Sequence, residues 1–270
     1  MVGSIYALIS LGFNVIFRTT GVLNFAQGEF VMIGGVFAAW LHGKGMPLPV
    51  ALAGGVLGAG LVGVLVDFLA IRPARQARPV ILIIITVGVS IVLRALAALA
   101  WGTDRFHLPP LQPGDVVLGG IHVEWQNLWM LGTATICMAA LAVFFHRTDL
   151  GRAMRACSEN PEGARLCGVN PGKVSALAFG LSALLAGVAG VLLTPMLSMQ
   201  FDQGTMLGLK GFSAAILGGL GNPVGGVLSG LLLGILEQLS AWVSSVYKET
   251  LALTLVVLVL VLRPKGVFAK

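Results

Sequence analysis

The sequence predicts an all-α fold, a polytopic bundle of membrane-spanning helices, and three observations carry that prediction. Of 270 residues, 57% are hydrophobic and 10% charged, and the mean hydropathy is +0.94. Apolar runs of about 20 residues recur along the chain, the length a helix needs to cross a ~30 Å hydrocarbon core. Lys and Arg gather in the loops between those runs, so the positive-inside rule accounts for the net charge of +6 and no nucleic-acid partner is implied. We expect one transmembrane domain over 1–270 in a lipid bilayer, with about seven spans plus a Gly-rich re-entrant hairpin.

The first span, Val2–Phe17, begins almost at Met1 without the charged flank and small-residue cleavage site of a signal peptide. Arg18–Gly21 breaks the apolar run. The second span, about Leu23–Leu41, carries Asn24, Gln27 and Glu29 near its start, a costly place for a carboxylate. Two readings stand there: Glu29 sits at the interface, capping backbone or pairing with Arg18, or the segment lines the substrate path or its gate. The third span, Pro47–Ile71, holds Gly54 and Gly58 at helix-contact spacing. It ends in Arg72, Arg75 and Arg78, which place that end in the cytoplasm, with Asp67 expected to pair with them.

Arg94, in the fourth span Val80–Trp101, is long enough to snorkel toward the far interface. The outer loop, 102–126, has Arg105 as its only Lys or Arg, and its alternating apolar residues around Gly119-Gly120 suggest a small hairpin that could receive an extracytoplasmic partner. Spans Leu128–Phe145 and Val174–Thr194 follow.

Between them lies the most basic loop, His146–Lys173, which must face the cytoplasm. Leu150–Cys157 reads as one short helix. A second follows, of roughly two turns: Asn160 caps it, Pro161 suits its first position, Glu162 sits at its positive end, and Gly168 offers a left-handed stop. Asn160, Pro161, Glu162, Gly163, Ala164, Arg165 and Gly168 are the candidate contact with a soluble partner, and Ala164 is expected on the docking face.

Gly211–Leu239 is too long for a plain span and carries Gly218–Gly226 at its centre. Gly219, Gly221, Asn222 and Pro223 should stop a continuous helix. Pro195–Lys210 is expected outside, and Arg263, Lys265 and Lys270 inside after a last span, Leu251–Leu262. A hairpin that enters and leaves on the outer side, its turn reached from the outer face, reconciles the count. Broken backbone at membrane depth survives only under protein cover or beside a water-filled cavity, which puts this turn by the translocation path.

Chemistry of other kinds is missing. Gly168–Val174 has the wrong spacing for a phosphate loop, and no His-Glu-x-x-His or Gly-x-Ser-x-Gly motif occurs. No catalytic residue, metal ligand or cofactor is called for, and the three cysteines read as reduced.

Three blocks, SIYALISLGFNVIFRTTGVLNFAQGEFVMIGG, GRAMRACSENPEGARLCGVNPGKVSALAFGLSALLAGVAG and GFSAAILGGLGNPVGGVLSGLLLGILE, resemble in content and order the branched-chain amino-acid ABC transporter permease family, LivH type. The resemblance covers nearly the whole chain. It implies an inner-membrane importer subunit for branched-chain or other small amino acids, without its own ATP-binding motif. It also implies partners: a second, LivM-like permease subunit, two ATP-binding subunits docking on Asn160–Gly168, and an extracytoplasmic substrate-binding protein. Relatives of similar appearance handle other amino acids, urea or short amides, and a sugar or nucleoside permease of related architecture is a further alternative within ATP-driven import. The competing class is a self-sufficient channel or secondary transporter using Glu29, Asp67 and Arg94 as ion or proton sites.

Overall fold

The computed structural model describes residues 2–75, 77–118, 121–243, 250, 254, 256–259, 261, 263 and 266–268. In order these form α1 (Val2–Thr20), α2 (Gln27–Gly43), α3 (Leu48–Val66) with a π-helical turn at Asp67–Ile71, and α4 (Pro79–Trp101). A two-stranded hairpin, β1 (Asp115–Leu118) and β2 (Ile121–Glu124), leads into α5 (Trp125–Arg147). Then come α6 (Asp149–Glu159), α7 (Pro161–Leu166), α8 (Pro171–Leu193), α9 (Gln203–Gly218) and α10 (Pro223–Val243). Among the described residues six helices, α1, α3 with its π turn, α4, α5, α8 and α10, are long and apolar enough to cross a membrane. The chain is a multi-pass, all-α membrane protein. The Gly119-Gly120 turn, Lys265, Lys270 and much of the expected last span Leu251–Leu262 lie outside the described residues.

Helix α1 is the axis of the bundle: 15 of its 19 residues are buried, and α8, α9 and α10 pack around it. Such contact is made possible by missing side chains. A Cβ on Gly230 would lie 2.6 Å from the Ala7 Cα, and one on Gly34 would lie 2.6 Å from the Gly187 Cα. In a membrane, where apolar side chains gain little by leaving lipid, this close approach is what holds α1 to α10 and α2 to α8. By contrast α4 and α5 stand at the edge, with Ile84, Ile91, Leu99 and Ile136 exposed. Those faces suit lipid or another membrane subunit.

Helix α2 starts four residues later than the apolar pattern suggests. Thr20 and Gly21 end α1, and the chain turns back through a non-helical stretch to Gln27, which lies beside Gly12 and Ser182, both midway along their helices. Asn24 makes this possible by accepting a hydrogen bond from the Ala26 N–H at 3.1 Å, a local turn that competes with helix. The N-terminus of α2 is therefore inside the bundle.

Candidate functional site

Two breaks in regular helix bring polar groups into the apolar bundle. At the first, Gln27 is fully buried and exchanges hydrogen bonds with Ser182: Ser182 Oγ lies 2.7 Å from Gln27 Oε1, and Gln27 Nε2 donates to the Ser182 carbonyl at 3.3 Å. Glu29, on the first turn of α2, is fully buried too, with Ser90 and Thr205 each donating to its Oε1 at 2.9 Å. Arg94 brings its Nε to 3.9 Å from the same oxygen.

These partners correct two expectations. Glu29 is a buried group, and Arg18 has no ion pair with it, because α1 carries Arg18 past the start of α2 to lie over the Phe145 ring. Arg94 turns toward Glu29 instead of snorkelling outward, since the buried carboxylate is the nearer polar group. Thr86, Ser90 and Arg94 recur every fourth residue, so one stripe of α4 faces the Leu23–Glu29 segment; Thr86 Oγ1 accepts from the Phe25 N–H at 3.2 Å. That spacing was present in the sequence and is the signal that finds Ser90.

The second break lies between α9 and α10. Gly219 and Gly221 have φ of +86° each, a region closed to most side chains. Asn14 of α1 accepts a hydrogen bond from the Gly221 N–H at 2.7 Å, Asn222 caps α10 by accepting from the Gly225 N–H, and Pro223 takes the first helical position. The turn does not open on the outer face as expected. Gly221 lines a cavity of about 1500 Å³ shared with Arg18, Arg72, Arg75, Asn160 and Arg165. The 16 residues of α9, about 24 Å of helix, carry the chain to that end of the bundle before it turns. Gln27 meets α1 at Gly12, while Gly221 meets it at Asn14, about 200° further round the helix. The two breaks thus lie on different faces of α1 and do not share one surface.

In the loop, Thr148 caps α6 by accepting from the Gly151 N–H, and Asn160 caps α7 by accepting from the Gly163 N–H at 2.9 Å. Gly168 ends α7 with φ +83°, and the Val169 N–H returns to the Ala164 carbonyl. Glu162, Arg165 and Gly168 are exposed. Ala164 is not: it is 5% exposed and packed in the core, so it cannot belong to a docking face. Its neighbour Leu166 is 91% exposed. Arg75 reaches across to the Pro171 carbonyl at 2.5 Å, tying the α3–α4 connection to the start of α8, and burial pulls its guanidinium below its ordinary value. Asp67 has no ion pair with Arg72 or Arg75; it is buried and takes the Ser175 hydroxyl.

One buried cluster had no sequence signal. Lys210, expected in an outer loop, sits within α9 and pairs with Glu237 of α10 at 2.9 Å, while Tyr6 of α1 donates to the other Glu237 oxygen at 2.6 Å. The N-terminal helix α1 and the consecutive pair α9 and α10 supply it, and no spacing within one helix announces the match.

Over residues 1–262 the chain matches the family model described as branched-chain amino acid transport system / permease component. It is 35% identical to the high-affinity branched-chain amino acid transport system permease protein LivH of Escherichia coli K12, over 99% of this chain and 92% of that protein. Identity is also 35% with the corresponding BraD of Pseudomonas aeruginosa, covering 100% and 93%. The ribose import permease RbsC of Escherichia coli K12 is 25% identical over 96% of this chain and 82% of its own. No solved structure matches. With the family model spanning nearly its full length, the chain belongs to the branched-chain amino acid transport system permease family.

Proposed function

We propose that this chain is a permease subunit that imports branched-chain or other small amino acids across a bacterial inner membrane, with ATP hydrolysed by two partner subunits. A second, LivM-like permease shares the path, and an extracytoplasmic binding protein delivers the substrate. The observation that carries this reading is the full-length likeness to LivH and BraD, whose names give branched-chain amino acids as cargo. The loop supports it: α6 and α7 are short, capped at both junctions, and present Glu162, Arg165 and Leu166 outward, a rigid feature suited to docking. Calorimetric titration of the partner binding protein tests the cargo. Micromolar or tighter binding of leucine, isoleucine or valine, with none of urea or ribose, is the expected result. Ribose binding alone would move the chain to the sugar importers that RbsC represents.

The orientation has its own reporter. Cys167 is exposed beside α7, whereas Cys157 is buried, with its thiol pushed up by that burial, and Cys137 lies within α5. A membrane-impermeant maleimide is expected to label Cys167 in inverted vesicles and not in intact cells, and ATPase subunits to shield it. Labelling in intact cells would reverse the topology.

A further inference from the structure

Glu29 is held by only one of its oxygens. Ser90 and Thr205 both donate to Oε1, while Oε2 is buried and has no hydrogen-bond partner among the described residues. Arg94 Nε also lacks one, although it stands 3.9 Å from Oε1. Carboxylate and guanidinium are matched in charge here without being joined by a hydrogen bond at these atoms. An ion pair whose purpose is to hold helices together closes that gap, because an unmade bond to a buried charge is costly. The Arg94 side chain is also 33% exposed, although it lies seven residues, about 10 Å, inside the end of α4. A guanidinium at that depth is not left against hydrocarbon, so its open edge meets a polar path or a second protein.

We propose that Glu29 and Arg94 together read the two charges of a zwitterionic amino acid in transit. Glu29 Oε2 accepts from the α-ammonium, and the Arg94 guanidinium donates to the α-carboxylate, with Ser90 and Thr205 holding Glu29 in position. The inference rests on the amino-acid reading above and adds the site. Because both groups address the backbone end of the substrate, leucine, isoleucine and valine pass equally, and choice among side chains is left to the binding protein. Gly204 of α9 packs against Oε2, so this site is closed in the structure and α9 must move to admit the ligand.

The test uses the complete transporter, with its binding protein, in proteoliposomes. A structural ion pair tolerates joint neutralisation, since Glu29→Gln with Arg94→Gln removes both charges together and the first change keeps its shape and an amide oxygen for the Ser90 and Thr205 hydroxyls. The zwitterion site does not. We expect each single variant and the double variant to import L-leucine at least about tenfold more slowly than wild type, as loss of a charge-assisted hydrogen bond predicts. Co-purification with the ATPase subunits confirms that each variant assembles. Independently, Ser90→Cys in an otherwise native complex is expected to react with a methanethiosulfonate ammonium reagent during turnover, and excess leucine-loaded binding protein to slow that reaction. Double-variant import within about twofold of wild type, or no leucine protection at Ser90→Cys, overturns the proposal. Failure of the wild-type complex to import any amino acid would instead remove the functional reading on which it rests.

Discussion

Leu166→Asp is expected to leave a folded permease that no longer holds its ATPase subunits. Leu166 is 91% exposed at the end of α7, so its replacement disturbs almost nothing within the chain, and the stability change should stay within about 0.5 kcal/mol. A leucine buried in a partner groove contributes about 1.5–3 kcal/mol, and a carboxylate forced into that groove adds a desolvation cost. Together these should weaken association by about 100-fold or more. Normal recovery of the ATPase with the variant permease, together with undiminished transport, would contradict the assignment of α7. Substitution at Ala164 is a poorer probe, because its side chain is packed inside and a bulky replacement would damage the loop itself.

Gly28→Val is expected to prevent assembly of the bundle. The added Cβ would overlap the Gly204 carbonyl oxygen and lie 2.8 Å from the Gly208 Cα, so both obstacles are backbone of α9 and neither can rotate away. Overpacking of a core typically costs 1–3 kcal/mol, and here helix α9 as a whole must retreat, so we expect about 3 kcal/mol or more. It should also pull Thr205 from Glu29. Detergent-solubilised Gly28→Val is expected to aggregate on size exclusion, whereas Gly88→Val, at an exposed site on α4 with open space around it, is expected to run as wild type. Equal elution of the two would refute the close α2–α9 contact.

What the sequence revealed follows the range of the interactions involved. The α7 cap, its proline and its left-handed stop are fixed by residues within a turn of one another, and Asn160, Pro161 and Gly168 could be read directly. The break at Gly219–Pro223 was equally local. Its depth was not, because that depends on where α9 begins, and the Lys210 charge placed in a loop by composition is neutralised by Glu237, 27 residues on. The face presented by Ala164 likewise depends on packing beyond α7. Arg94 shows the same limit: a long cation within a span snorkels by default, yet a carboxylate brought in on α2 redirects it.

Uptake of labelled L-leucine into proteoliposomes tests the central claim most directly, comparing the lone chain under a proton or sodium gradient with the full complex given binding protein and ATP. The account predicts uptake only by the complex, dependent on ATP hydrolysis and on the binding protein. Gradient-driven uptake by the lone chain would contradict it and make the buried Glu29 and Asp67, with the half-buried Arg94, the coupling groups of a self-sufficient transporter.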